Sequence, residues 1–298
     1  MSMKKLLFVL NPHAGKARVK GKLSWIVDYY IKQGFRVEVY MTQEQGDGAR
    51  VIGELAGEVD HLVVSGGDGT MNEAVTGLMR LPKEKRPSLG YIPAGTTNDF
   101  ARSLNLPKNI GKAAESSVLL PACPTDIGQF EDAYFTYVAG FGAFTSVSYR
   151  TSQDSKNMLG HQAYIFEGLK KISEIKSQHV KVFYKDQELE DDFLVGLVTN
   201  SVSVAGFKKI SGPDVELDDG LFEVVLIRDP KNPLDLTRVV QELFLDEANQ
   251  SFVLRFKTDA VRFVSEEPID WVLDGEFGGS KKEVDIRICK NAIDIVRK

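Results

Sequence analysis

Short apolar-rich runs punctuate the first 120 residues and predict β-strands at 6–10, 35–40, 62–64 and 89–92. Between them the pattern turns helical, at 19–33, 48–57 and 71–79. Strand, helix, strand, helix is the order of a parallel sheet with helices packed on its faces. After "LLPACPTDIG" the texture changes. Strand-like runs now dominate, at 134–138, 180–184, 193–199, 221–227, 251–256, 260–264, 271–273 and 284–288, and Gly, Asp and Asn separate many of them. That is the signature of an antiparallel sandwich or barrel. Helical segments interrupt it at 160–175 and 234–245. The expected fold class is α/β + β, with a parallel α/β domain over 1–124 and a mainly antiparallel β-sandwich domain over 125–298. The boundary is placed at 121–128, where two prolines fall.

Composition narrows the class. The chain has 298 residues, 43% hydrophobic and 27% charged, enough for a real core under an ordinary soluble surface. A net charge of −5 gives no global basic field for nucleic acid. Cys123 and Cys289 lie far apart, match no zinc spacing and are too few for a disulfide framework, so a reducing cytoplasm is the default. The opening "MSMKKLLFVLNPHAG" has a basic pair and an apolar run, but the run stops at Leu10. It reads as a first strand rather than a signal peptide. No run approaches the roughly 20 apolar residues of a membrane span.

Three loops carry the chemistry. They are "NPHAGK" after Leu10, "SGGDGTMNE" after Val64 and "PAGTTNDFARSL" after Ile92. In an open α/β sheet, ligands bind beyond the carboxyl ends of the strands, so the three are expected at one edge. Glycines let backbone N–H groups approach an anion, and a helix N-terminus favours one. Neither G-x-x-x-x-G-K-[ST] nor G-x-G-x-x-G occurs. Asp68 would repel a naked phosphate. It makes sense beside a magnesium ion, which reverses the local charge logic, and Asp99 offers a second carboxylate. The reading is Mg-nucleotide binding for phosphoryl transfer.

"GGDGTMNE", "NPHAGK" and "PAGTTNDFARSL" together closely resemble the catalytic domain of the diacylglycerol kinase family. "LDDGLFEVVLI" and "WVLDGEFG" follow in the same order as in that family, and "VSYRTSQDSKNMLGHQAYIFEGLKKI" looks most like its Gram-positive bacterial members. The resemblance implies an N-terminal nucleotide-binding domain, a β-sandwich, and an ATP- and Mg2+-dependent kinase acting on a lipid hydroxyl. Nucleotide contacts carry over to Asn11, Pro12, His13, Ala14, Gly15, Thr42, Gly66, Gly67, Asp68, Gly69, Thr70, Met71, Asn72 and Thr96. A structural magnesium carries over to the Asp219 carboxylate and the carbonyls of Glu216 and Leu221, where an Asp-Gly turn is the plain alternative. The catalytic candidates are Asp274, Glu276 and Asp68. Strand alternation would put Asp274 and Glu276 on one face, while Asp-Gly is equally a hairpin signal. Asp274 is the favoured base, as the residue nearest the metal and hydroxyl, with Glu276 its partner or, if the strand bends at Gly275, the base itself; Asp126 is a further acidic member.

The expected partners are a lipid substrate at the membrane surface, met by transient peripheral contact from the cytoplasm, and a second copy of the chain in a homodimer. Lys16 and the basic amphipathic segment 160–175 suit an anionic interface, and residues 137–147 suit an acyl slot; solvated or core roles fit equally. Two rivals stand beside this reading. A kinase of the NAD kinase type lacks support from any T-G-S-T-A-Y-like segment after residue 130. A regulatory nucleotide-binding protein without catalysis sits poorly with Asp68, Asp274 and Glu276.

Overall fold

A computed structural model describes residues 3–17, 19–142, 176–204, 207–208, 215–244 and 251–298. The expected helix at 160–175 and residues 143–147 lie outside the described residues.

The first lobe alternates as its pattern requires. Strands β1 (Lys4–Leu10), β2 (Phe35–Met41), β3 (His61–Gly66) and β4 (Ser88–Pro93) are joined by helices α1 (Leu23–Lys32), α2 (Asp47–Leu55) and α3 (Asp68–Met79). β1 pairs in parallel with β2 and β3, and β3 in parallel with β4. All of β3 is buried, and so is β1 from Leu6 onward, because helices cover both faces of the sheet. Two helices follow that the apolar pattern did not announce, α4 (Asp99–Ser103) and α5 (Ile110–Leu119). α4 is barely more than a turn. α5 is capped by Asn109, whose side chain accepts the Lys112 N–H, and apart from Ile110 its buried positions are small residues, among them Gly111, Ala113 and Ala114.

The second lobe is strand-rich. β5 (Ala122–Phe130), β6 (Ala133–Phe135), β7 (Val138–Gly142), β8 (Gln178–Tyr184) and β9 (Gln187–Thr199) come first. The two-residue strands β10 (Ser203–Val204) and β11 (Phe207–Lys208) pair with each other. β12 (Phe222–Arg228), α6 (Pro233–Phe244), β13 (Val253–Thr258), β14 (Ala260–Leu273) and β15 (Glu276–Val296) complete the chain. Pairing within this lobe is antiparallel. Its core centres on Trp271, which meets Phe130, Phe141 and Phe263 edge-on at 5.0–5.2 Å between ring centroids. Trp271 lies three residues before Asp274, so this packed indole fixes the strand that delivers the acidic turn.

The runs at 260–264 and 271–273 belong to one strand. Its polar middle and Pro268 coincide with a register shift between Val264 and Ile269, where pairing with β15 lapses and resumes. β15 extends far beyond the apolar run at 284–288. Its polar start is held by β14, and its end pairs with β5 and, in parallel, with β4 through Ile295 and Leu89. The proline-bearing segment 121–128 is therefore mostly strand β5, and one sheet passes from one lobe into the other.

Candidate active site

The loops after β1, β3 and β4 bind one another at one edge of the sheet. The Asn11 N–H donates to the Ser65 carbonyl at 2.8 Å, and the Asn11 carboxamide reaches the Thr70 hydroxyl at 3.5 Å. The N–H groups of Ala94 and Gly95 both donate to the Gly66 carbonyl, at 2.7 and 3.1 Å. A Cβ on Gly66 would stand 2.1 Å from the Thr70 hydroxyl oxygen, and one on Gly95 would stand 2.5 Å from the Gly67 Cα. These two glycines are required by loop packing. Gly69 differs. It is exposed, nothing lies within 4 Å of where its Cβ would be, and it sits in the first turn of α3. That turn leaves backbone N–H groups without intrahelical partners and attracts anions.

A cavity of about 730 Å3 opens there, within the range of small-molecule sites. Asn11, His13, Thr42, Gly69, Thr70 and Asn72 line it from the first lobe; Tyr134, Asp274, Glu276 and Phe277 line it from the second. Of the other expected nucleotide residues, Pro12, Ala14, Gly15, Gly66, Gly67, Asp68, Met71 and Thr96 are not on its wall. Pro12, Gly66 and Met71 are buried. Thr42 also has a strand-end role: its N–H donates to the Leu10 carbonyl at 3.0 Å. Glu73, the last residue of "GGDGTMNE", accepts the N–H groups of Gly46 and Gly48 at 2.7 and 3.0 Å. The start of α2 is thus capped from within the protein, and α3 offers the open N-terminus.

Asp68 opens α3, and its carboxylate accepts the N–H groups of Asp99 and Phe100 at 3.2 and 3.3 Å, tying α4 to α3. Burial pushes its pKa from 3.8 to about 6; the Asp99 and Asp274 charges push the same way, and the two N–H groups oppose them. Asp99 is buried and pairs with Arg102 at 3.2 Å. The buried Tyr137 phenol is raised by desolvation, and then by the charges of Asp274, Asp68 and Asp99. Three carboxylates therefore share one region, a setting that favours an added cation. No group of three His, Cys, Asp or Glu side chains among the described residues forms a metal cage. Such a donor set suits Mg2+ held by one or two carboxylates together with substrate phosphates.

The second-lobe wall is the β14–β15 hairpin. Asp274 and Gly275 have φ of 51° and 91°, as a two-residue turn with both central residues at positive φ demands. The turn breaks the strand between Asp274 and Glu276, so alternation does not relate their directions. Asp274 is 5% exposed. Its carboxylate accepts from the Thr136 N–H (2.6 Å), the Thr136 hydroxyl (2.8 Å), the Tyr137 N–H (3.0 Å), the Val138 N–H (3.1 Å) and the Asn72 amide (2.8 Å). Burial raises its pKa against these donors. About four lone-pair sites are available on a carboxylate, so its acceptor capacity is full. Glu276 is exposed on the cavity wall, and no described side chain hydrogen-bonds its carboxylate.

The remaining acidic residues lie elsewhere. Asp126 is buried, and its carboxylate accepts the Gly220 and Asn291 N–H groups, both at 2.6 Å. It holds the loop before β12 and is not on the cavity wall. That loop contains Asp219, whose carboxylate accepts the Leu221 N–H at 2.9 Å and meets the Lys257 ammonium at 3.2 Å; Glu216 is exposed. Thr136 and Glu73 were missed in the sequence, and Tyr137 was read only as the start of the stretch suited to an acyl slot. Only Glu73 sat within a recognised motif, and only the fold shows what it caps.

An acidic hairpin facing an open helix N-terminus, across a cavity between an α/β lobe and a β-rich lobe, defines an enzyme fold built to handle phosphates. The diacylglycerol kinase catalytic domain matches residues 5–130, and the YegS C-terminal NAD kinase β-sandwich-like domain matches residues 138–297. The chain is 34% identical over 280 residues to a diacylglycerol kinase of Bacillus subtilis, covering 93% of this chain and 91% of that protein. It is 34% identical over 279 residues to one of Staphylococcus carnosus, covering 93% and 90%. A crystal structure of a diacylglycerol kinase from Bacillus anthracis str. Sterne superposes with a TM-score of 0.79 at 25% identity, covering 100% of this chain and 98% of that one. The chain belongs to the diacylglycerol kinase family.

Proposed function

We propose that this protein is an ATP-dependent lipid kinase that phosphorylates the hydroxyl of diacylglycerol to give phosphatidic acid. The observation that carries the reading is the division of labour on the β14–β15 hairpin. Asp274 is spent on five internal donors, while Glu276 faces the cavity without one. The first turn of α3, with Gly69 open, receives the phosphates, and Asn11, Thr70 and Asn72 supply polar contacts along the wall. The acceptor hydroxyl attacks the γ-phosphorus; the new O–P bond forms as the bond to the ADP oxygen breaks, and the hydroxyl proton passes to Glu276. Mg2+, when bound, would neutralise phosphate charge, and Asp68, in the first turn of α3 beside Gly69, is the carboxylate that would turn to hold it, with buried Asp99 behind it paired to Arg102. Asp274 acts through position: it locks the 136–138 backbone and Asn72 to the hairpin, which spans the two lobes. Exposed Phe277 on the cavity wall supplies an apolar contact for the lipid. The lipid is met by peripheral contact at the cytoplasmic membrane face, and the protein works as a homodimer.

The test is an assay with radiolabelled ATP and diacylglycerol in mixed micelles. Label that moves into the organic phase, and is lost in Glu276→Gln, supports the reading. Label that stays in water with a soluble acceptor such as NAD overturns it.

A further inference from the structure

The loop before β12 has a cation problem that this chain solves with its own lysines. The family resemblance points to a divalent ion at Asp219, with the carbonyls of Glu216 and Leu221. The donor set here does not fit one. One oxygen of the Asp219 carboxylate accepts the Leu221 N–H at 2.9 Å, and the other meets the Lys257 ammonium at 3.2 Å. The Asp219 carbonyl accepts from the Lys290 ammonium at 3.0 Å. Lys257 lies at the same 3.2 Å from the Glu223 carboxylate, whose two oxygens are buried without a hydrogen-bond partner, so its ammonium is the charge that offsets both carboxylates. Beside it, Arg297 pairs with Asp218 at 3.1 Å.

The backbone is shaped for this arrangement. β15 shifts register between Cys289 and Ile293, and Asn291 there has φ of 50°. The irregularity carries Lys290 over the loop and lets the Asn291 N–H reach Asp126 at 2.6 Å. Gly220, at φ of 83°, leaves room for the lysine stem: a Cβ there would stand 2.8 Å from the Lys290 side chain. A divalent ion at Asp219 would face two ammonium groups within hydrogen-bond reach of its ligand residue. Repulsion between like charges at such distances is strong in a partly buried site.

We infer that Lys257, seconded by Lys290, is a built-in cation that takes the place of a structural divalent ion at Asp219, so that this loop is held without metal. The loop's task is mechanical: through Leu217 and Gly220 it grips Asp126 on β5, and Asp126 in turn grips the β15 irregularity.

The experiment counts bound Mn2+ by electron paramagnetic resonance without nucleotide, in the wild type, Asp219→Asn and Lys257→Met, with circular dichroism to check the fold. The wild type and Asp219→Asn are expected to bind the same number of ions. Lys257→Met, with the Asp219 and Glu223 carboxylates freed, is expected to bind one more and to gain several degrees in Tm from the ion. One fewer ion in Asp219→Asn than in the wild type overturns the inference. A folded Lys257→Met that gains no ion overturns it too, because the lysine would then occupy no cation position. The comparison of wild type with Asp219→Asn stands alone if Lys257→Met fails to fold. Lys257→Gln provides a milder second variant. Ion counts do not depend on kinase activity, so this test can fail without touching the proposed reaction.

Discussion

Asp274 and Glu276 sit two positions apart, and the structure separates their tasks. Glu276→Gln removes a solvent-facing carboxylate that no side chain holds. Turnover is expected to fall about 10²–10⁴-fold, the usual worth of a positioned base, while Tm and the KM for ATP stay near wild type. Asp274→Asn removes a charge that accepts five donors. Whichever way the amide turns, its NH2 faces an N–H or O–H group. Hydrogen bonds to a charged acceptor are worth about 1.5–3 kcal/mol each, so Tm falls together with turnover. Thermal melts beside steady-state kinetics separate the two; a Glu276→Gln protein with full turnover would remove it as the base. Asp68 carries a pH signature. Its folded-state pKa is raised from 3.8 to about 6, so the fold favours its protonated form. The stability this gives is fully present below the unfolded value and is lost as pH rises through about 6. Asp68→Asn lacks that titration. The Tm of the wild type relative to Asp68→Asn should therefore fall between pH 3.8 and about 6 when measured in EDTA without nucleotide. A constant difference across that window would mean that burial does not perturb Asp68.

At the level of elements, the glycine-rich turn is two devices in one sequence. Gly66 and Gly95 let the loops after β3 and β4 touch, and Gly69 leaves the start of α3 open. Gly66→Ala and Gly95→Ala are expected to lower Tm strongly, since their Cβ atoms would overlap Thr70 and the Gly67 backbone at 2.1 and 2.5 Å. Gly69→Ala meets nothing within 4 Å and should fold normally, yet raise the KM for ATP. Equal thermal losses in all three would erase the distinction. "SGGDGTMNE" announced a tight, phosphate-ready turn but not this division, because the atoms that crowd Gly66 and Gly95 belong to side chains and backbone brought close only by folding. β1, β3 and β4 were legible because each is an apolar run buried through most of its length, whereas β2, "FRVEVYM" at the sheet edge, was legible from its alternation and is only partly buried. α5 was not legible, since apart from Ile110 its buried face is made of alanine, glycine and serine, which carry little apolar signal. The start of β15, "EFGGSKKE", was hidden for the opposite reason: its strand form comes from pairing with β14, against a polar composition.

On the scale of the whole molecule, the lobes share one sheet, and the chain's last strand closes it. β15 leaves the hairpin of Glu276, pairs along β5 and ends beside β4, where Ile295 lies opposite Leu89. The Arg86 guanidinium donates to the Ala292 carbonyl at 2.8 Å, and Arg297 donates to the Pro124 carbonyl at 3.1 Å. Across the cavity, Asn72 on α3 holds Asp274. Damage in one lobe should therefore be felt in the other. The chain's two tryptophans report on this, with Trp25 on α1 in the first lobe and Trp271 in the sandwich core. Trp271→Phe shrinks a fully packed side chain and should cost about 0.5–3 kcal/mol. It also leaves Trp25 as the sole indole. If the lobes unfold together, the urea midpoint read from Trp25 fluorescence falls in Trp271→Phe and coincides with the midpoint from far-ultraviolet circular dichroism. Removing residues 292–298 deletes the β4–β15 pairing and both arginine contacts, and should split the transition in two. If Trp25 keeps its wild-type midpoint in Trp271→Phe while circular dichroism turns biphasic, the shared sheet does not couple the lobes. The cavity between them would then be held by the hairpin contacts alone.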